Sequence, residues 1–268
     1  MPTRLGMIGG GVMGEALLSR LVAEQVFEPG AITVGEPQAE RRTTLAHQYG
    51  VVATADNQQV LSQAEVVLLA VKPQNLAAVA ADLEQAASHG SPLLLSILAG
   101  IPLSNLQAIV PNWPVIRAMP NTPATVGAGM TVLAPGQGVQ PHHLAQARRI
   151  FQTVGQVLEV PESLMDAVTG LSGSGPGYVA IMIEALADGG VAAGLPRTVA
   201  LQLALQTVRG TAELLLAKEW HPAMLKDRVT SPGGTTIAGI AQLEQAGIRS
   251  ALIEAVRTAA QRSRDLGG

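Results

Sequence analysis

The chain has no cysteine among its 268 residues, which excludes disulfides, thiolate metal sites and cysteine nucleophiles together. Histidine is scarce as well. Five are scattered along the chain, and the adjacent pair His142–His143 lies in a polar, turn-like stretch where neighbours are poorly placed to share one ion. No metal site is expected. Basic runs are missing and the net charge is −3, so the charge pattern addresses neither nucleic acid nor an acidic membrane surface. The first residues carry no charged segment leading into an apolar core and a cleavage site, and no signal peptide is read there. Uninterrupted runs of membrane length are lacking too, because Gln202, Gln206, Arg209 and Glu213 break up the longest candidate. A cytoplasmic protein fits these absences, and the length suits two compact units with a substantial core.

Glycine, by contrast, is plentiful, with 29 residues. Three of them organise the N-terminus: in Arg4–Gly14 a short apolar run meets Gly9, Gly11 and Gly14 in the spacing G-x-G-x-x-G, and a helical pattern follows from Val12 to Val26. Strand, tight turn and helix in that order fit a dinucleotide-binding turn. Gly9 lets the chain turn, Gly11 lets backbone approach a pyrophosphate, and Gly14 lets helix and strand pack closely. The helix start offers N–H groups and a partial positive charge to phosphates. Ile8, Gly9, Gly11, Val12, Met13 and Gly14 are the first candidate cofactor contacts. A purely structural turn would use the same glycines.

Further on, strands at 31–34, 51–54, 65–71 and 92–97 alternate with helices at 38–49, 56–61, 74–87 and from Pro102. Such alternation predicts a parallel sheet with ligands beyond the carboxyl ends of its strands. The glycine turn, Glu36, Lys72 and Ala99 all follow strand ends and should share one rim. Strands at 115–119, 129–134 and 156–160 and a helix at 141–154 complete the first domain, residues 1–161. Residues 162–268 read as all-helical. One long helix carries Pro176 in its first turn, Ser174 as cap and Gly194 as stop, and further helices cover 196–217, 222–228, 237–245 and 249–266. Stretches 180–186 and 199–205 are apolar nearly all round, and since monomers rarely expose large apolar patches, a homodimer through this half is expected. The fold class is therefore α/β: a Rossmann-like parallel-sheet domain followed by an all-helical dimerisation domain.

Five separated motifs carry a family likeness. GGGVMG, Ala70–Pro73 (AVKP), Arg117–Pro123 (RAMPNTP), Asp166–Pro176 (DAVTGLSGSGP) and Val229–Thr236 (VTSPGGTT) stand in the order found in the pyrroline-5-carboxylate reductases. Over essentially its whole length the chain resembles that family. The resemblance implies a domain that holds NADPH, a dimerising helical domain, a substrate between them, and in some members rings of dimers. It implies hydride transfer from the nicotinamide to C5 of L-1-pyrroline-5-carboxylate, the last step to L-proline. The cofactor supplies the hard chemistry.

The residues suit that reaction. Ser231, Gly233, Gly234, Thr235 and Thr236 offer backbone N–H and hydroxyl groups ahead of a helix, as a substrate carboxylate needs; an ordinary capped turn is the bland alternative. By resemblance, Thr236 lies beside the ring nitrogen and is the candidate proton donor, and Glu162 touches the ring, where a carboxylate would favour the iminium. Read from the residues alone, Glu162 is an acid in the first turn of a short helix at 161–165. Glu184 and Asp188, at i and i+4, are assigned to capping, polar packing or the interface. On the cofactor side the resemblance adds Asn57, the strand end Ala70, Val71, Lys72 and Pro73, the turn Ile97, Leu98 and Ala99, and Met119 and Asn121 beside the nicotinamide.

One position departs from the family pattern. Most relatives carry a small hydroxyl or amide residue at the end of the second strand, whereas this chain has Gly35–Glu36. A glutamate there accepts from ribose hydroxyls and repels a 2′-phosphate, while Arg41 and Arg42 nearby offset its charge. NADPH is expected on the resemblance, with NADH use on Glu36. Two other readings share the fold. A β-hydroxyacid-dehydrogenase type needs a lysine base early in the second domain, yet none occurs between Leu171 and Ala217. A non-catalytic nucleotide sensor needs no carboxylate cradle.

Overall fold

The structure is a computed structural model that describes residues 4–267. By its contacts the chain divides into two compact units, residues up to Ser174 together with those from Thr258 onward, and Gly175–Arg257. The break falls later than the 161–162 boundary expected from the sequence, and the end of the last helix belongs with the first unit.

In the first unit β1 (Leu5–Ile8) leads to α1 (Val12–Ala23), followed by β2 (Ile32–Gly35), α2 (Ala39–Tyr49) and β3 (Val52–Thr54). Next come α3 (Asn57–Leu61), β4 (Val66–Leu69), α4 (Leu76–Ala87), β5 (Leu93–Ser96), α5 (Leu103–Ile109) and β6 (Val115–Met119). The unit continues with β7 (Gly129–Pro135), α6 (Pro141–Gln152), β8 (Gly155–Glu159) and α7 (Met165–Val168). The eight strands form one sheet in the order β3-β2-β1-β4-β5-β6-β7-β8. Alternation decides which side chains go to which face. Val66 and Leu68 of β4 join the core beneath α1, α2 and α6, with Leu17, Leu45 and Phe151. Val67 and Leu69 join the opposite core with Val60, Leu83 and Leu106 of α3, α4 and α5. All four are fully buried, which is why β4 reads as an unbroken apolar run.

Two expectations are corrected. The sheet is not parallel throughout, because β6 and β7 pair antiparallel, Arg117 opposite Ala134 and Met119 opposite Val132. Their connection holds only a 3-10 turn, Thr122–Val126, and is too short for a parallel crossover. Ser174, expected as a helix cap, instead closes a π-helical turn, Thr169–Gly173, from which the next helix continues directly.

The second unit contains α8 (Gly175–Ala192), α9 (Arg197–Lys218), α10 (Pro222–Arg228), α11 (Thr235–Gln245) and the beginning of α12 (Ile248–Gly267). Helices α8 and α9 turn back on each other at Gly194, φ +100°. Their seam is made of small residues: Ala187, Ala200 and Ala204 are buried together, and a Cβ on Gly190 would lie 3.0 Å from the Ala200 Cβ. Asp188 pairs with Arg197 across the turn. Large apolar side chains, among them Ile181, Leu186, Leu203 and Leu216, stay exposed on this unit of the single chain. Among the described residues no helix is long and apolar enough to cross a membrane.

Gly155 opens β8 at φ +145°, where a Cβ would meet the Gly129 carbonyl oxygen at 1.9 Å. Gly155→Ala is expected to cost about 3 kcal/mol or more, whereas Gly30→Ala, with nothing within 4 Å of its Cβ position, should stay within about 1 kcal/mol of the native protein. Urea unfolding of the two variants checks this.

Candidate active site

Strand register sets the cofactor rim. Ile8 lies level with Gly35 on one side and Leu69 on the other, and Leu69 is level with Ser96. The glycine turn, Glu36, Ala70–Pro73 and Ile97–Ala99 therefore leave the sheet along one edge. At its centre the three motif glycines are needed for different reasons. A Cβ on Gly9, φ +104°, would sit 2.7 Å from the Ala70 carbonyl oxygen, and one on Gly14 would sit 2.5 Å from that of Gly9. Both are demanded by packing. Gly11 has nothing within 4 Å of its Cβ position and is exposed. It is the N-cap of α1 and brings no side chain to the first-turn N–H groups. The protein itself has no use for glycine there, but a phosphate brought against that helix start does, so the cradle fits a dinucleotide.

Side chains around the rim are firmly held. Glu36 is buried, its Oε2 accepting from Gly10 N–H at 3.1 Å and its Oε1 from Gln38 N–H at 3.0 Å. Arg41 donates from Nε to the Gly10 carbonyl at 2.9 Å and pairs with Glu15, which also accepts from Tyr49 OH at 3.0 Å. Burial alone would raise the Glu15 carboxyl, yet hydrogen bonds from Arg41 and Tyr49 and the Arg41 charge outweigh it and hold it below its ordinary value of 4.5. Tyr49 is raised in turn, by burial and by its bond to Glu15. Asn57 gives its amide to Asp82 at 2.8 Å, at the start of a helix capped by Asp56. Lys72 is exposed at the end of the β4 loop. Met119 lies against Gly173, and Asn121 ties its loop together by donating to the Ser172 carbonyl and accepting from Met130 N–H at 2.9 Å.

Glu162 is tied into the fold by one oxygen. Its Oε1 accepts from Leu103 N–H at 2.5 Å, closing the start of α5, and lies 3.5 Å from Arg117 Nη1. These contacts fix one carboxylate oxygen, and about a third of the side chain, 35%, stays exposed. Arg117 is buried in β6 and also faces Asp166, which accepts from Ser263 Oγ at 2.7 Å. This cluster around the buried Arg117, which joins residues far apart in the chain, and the Glu15–Arg41–Tyr49 chain went unread in the sequence, since no local pattern announces either.

In the second unit Ser231–Thr236 forms a tight turn. Gly234 N–H donates to the Ser231 carbonyl at 3.0 Å, with Pro232 and Gly233 between and Gly233 at φ +67°, the geometry that Pro-Gly favours. Gly234 is the N-cap of α11, so that helix too starts without a side-chain cap, with the hydroxyls of Thr235 and Thr236 exposed in its first turn. Among the described residues no cluster of three or more His, Asp or Glu could hold a metal.

These two glycine-started helices accompany a full-length likeness. A reductase from Synechocystis named pyrroline-5-carboxylate reductase is 60% identical over 100% of this chain and 99% of its own, and one from Arabidopsis thaliana is 43% identical over 98% and 95%. The chain belongs to the pyrroline-5-carboxylate reductase family. Residues 162–266 match the model described as pyrroline-5-carboxylate reductase dimerisation, and residues 4–100 match one described as NADP oxidoreductase, coenzyme F420-dependent. The Coxiella burnetii pyrroline-5-carboxylate reductase superposes with a TM-score of 0.93 at 33% identity, covering all of both chains. A Plasmodium falciparum pyrroline carboxylate reductase with NADP bound superposes at 0.90 and 29%, over 99% and 98% of the two chains.

Gly11→Ala is expected to keep stability within about 1 kcal/mol and to weaken dinucleotide binding roughly tenfold or more. Gly14→Ala should instead lose about 2 kcal/mol or more of stability; calorimetric binding and thermal unfolding separate the two. Because the Glu15 pKa is lowered on folding, its contribution is complete above the unfolded value and fades as pH falls through the depressed one. Glu15→Gln should remove about 1 kcal/mol at neutral pH and flatten that part of the acid limb.

Proposed function

We propose that this enzyme reduces L-1-pyrroline-5-carboxylate to L-proline, with a hydride from a reduced nicotinamide dinucleotide. The observation that carries the proposal is the pair of glycine-started helices, α1 and α11, each leaving its first N–H groups open to an anion. The bound dinucleotide supplies the hydride. The chain's own residues do the rest. The turn Gly9–Gly14 binds the pyrophosphate, and Asn57, Ala70–Pro73, Ile97–Ala99, Met119 and Asn121 line the path of the riboses and the nicotinamide. Held by Asp82 and by Ser172 and Met130 respectively, Asn57 and Asn121 need no reorganisation to receive it.

Ser231, Gly233, Gly234 and Thr235 bind the substrate carboxylate by backbone N–H and hydroxyl groups at a helix start. Only glycine at position 233, φ +67°, lets the turn close without strain. The Thr236 hydroxyl relays a proton from water to the ring nitrogen. The C=N bond becomes a C–N bond with one new C–H, from the hydride, and one new N–H, from the relayed proton. Glu162 acts as a positioning residue, since it joins the start of α5 to β6 through Leu103 and Arg117. The proposal includes a homodimer in the cytoplasm, with the exposed apolar faces of α8 and α9 covered by a second copy, and NADPH or NADH as cofactor.

Loss of nicotinamide absorbance on adding pyrroline-5-carboxylate, with stoichiometric L-proline, is the expected result; bound dinucleotide without turnover would contradict it. Thr236→Val should lower kcat by about a hundredfold with dinucleotide affinity unchanged, and an unaltered kcat would remove Thr236 from proton transfer.

A further inference from the structure

The end of β2 can be built to read a ribose hydroxyl or a ribose phosphate, and the side chains around Glu36 distinguish the two. Its carboxylate does not swing in solvent: Gly10 N–H holds one oxygen at 3.1 Å and Gln38 N–H the other at 3.0 Å, and the residue is only 9% exposed. Each carboxylate oxygen has a second lone pair to offer, so the fixed group can accept from a ribose hydroxyl without moving. A 2′-phosphate in the same place would meet a negative charge that cannot turn away.

Two arginines follow on α2, and both have other partners. Arg42 Nη1 donates to the carbonyls of Glu36 at 2.9 Å and Pro37 at 2.7 Å. Arg41 spends Nε on the Gly10 carbonyl and Nη2 on Glu15, which Tyr49 holds from the other side. These two contacts fix the guanidinium and leave Nη1 over, so a phosphate that drew the whole group toward itself would compete with both Glu15 and Gly10. Both the N–H and the C=O of Gly10 are thus gripped, by Glu36 and Arg41, inside the glycine turn itself.

We infer that this enzyme is built for NADH: Glu36 is the specificity-determining residue, and Arg41 is a positioning residue that fixes the glycine turn instead of a phosphate ligand. The inference rests on the dinucleotide site proposed above.

Binding of NADH and NADPH to the full-length protein, measured by calorimetry without substrate, tests it. The native protein should bind NADH roughly tenfold or more tighter than NADPH, and Glu36→Ser should move that ratio toward NADPH by a similar factor. Arg41→Ala and Arg41→Lys should each weaken both dinucleotides alike, roughly two- to tenfold, because lysine restores the charge but not the two-pronged hold. Thermal unfolding of each variant confirms that it is folded. Native preference for NADPH, an unmoved ratio in Glu36→Ser, or selective loss of NADPH in Arg41→Ala rescued by lysine would overturn the inference. Failure of the native protein to bind either dinucleotide would instead strike at the site itself.

Discussion

The first unit depends on how closely backbone approaches backbone where β1 hands over to α1. The Gly9 Cα faces the Ala70 carbonyl and the Gly14 Cα faces the Gly9 carbonyl at distances that admit no side chain. That closeness draws β1 against β4 and seats α1 on the sheet, so that Leu17 and Leu21 reach Met7, Val66 and Leu68 in one core. It also leaves the first turn of α1 projecting past the strand ends. Gly11 stands there with open space around it, and the positive end of the helix faces outward. Packing thus demands Gly9 and Gly14 but not Gly11.

The helix starts tell the same story electrostatically. Side chains close the starts of α3 (Asp56), α5 (Glu162), α6 (Gln140 and His143) and α10 (His221), while α2, α4 and α9 start on Gln38, Asn75 and Pro196 without one. Helices α1 and α11 begin on glycine instead. Orphan N–H groups at a helix start need an acceptor, and at these two places a ligand can be that acceptor. In the second unit the buried apolar cluster is the alanine seam of α8 and α9, and leucines and isoleucines stay exposed on the single chain.

Much of this was legible in the chain because it is local. Periodicity located every strand of the sheet to within a few residues, the left-handed Gly50 and Gly194 ended helices where expected, and Asp56 caps α3 as its type suggests. Family motifs added the candidate cofactor and substrate stretches. What stayed hidden depends on partners distant in sequence. The antiparallel pairing of β6 with β7 follows from a short connection whose consequence appears only once the strands lie side by side. Glu162 looks like any first-turn acid until α5 is brought beside it, and nothing beside Arg41 in the chain announces its contacts to Gly10 and Glu15.

The central claim is that the enzyme delivers the nicotinamide hydride to C5 of pyrroline-5-carboxylate. Reduced dinucleotide carrying deuterium at both C4 positions of the nicotinamide, incubated with the enzyme and pyrroline-5-carboxylate, tests it most directly through the mass and the proton spectrum of the product. The account predicts L-proline that carries a single deuterium at C5. Proline without label, or labelled elsewhere in the ring, would contradict it.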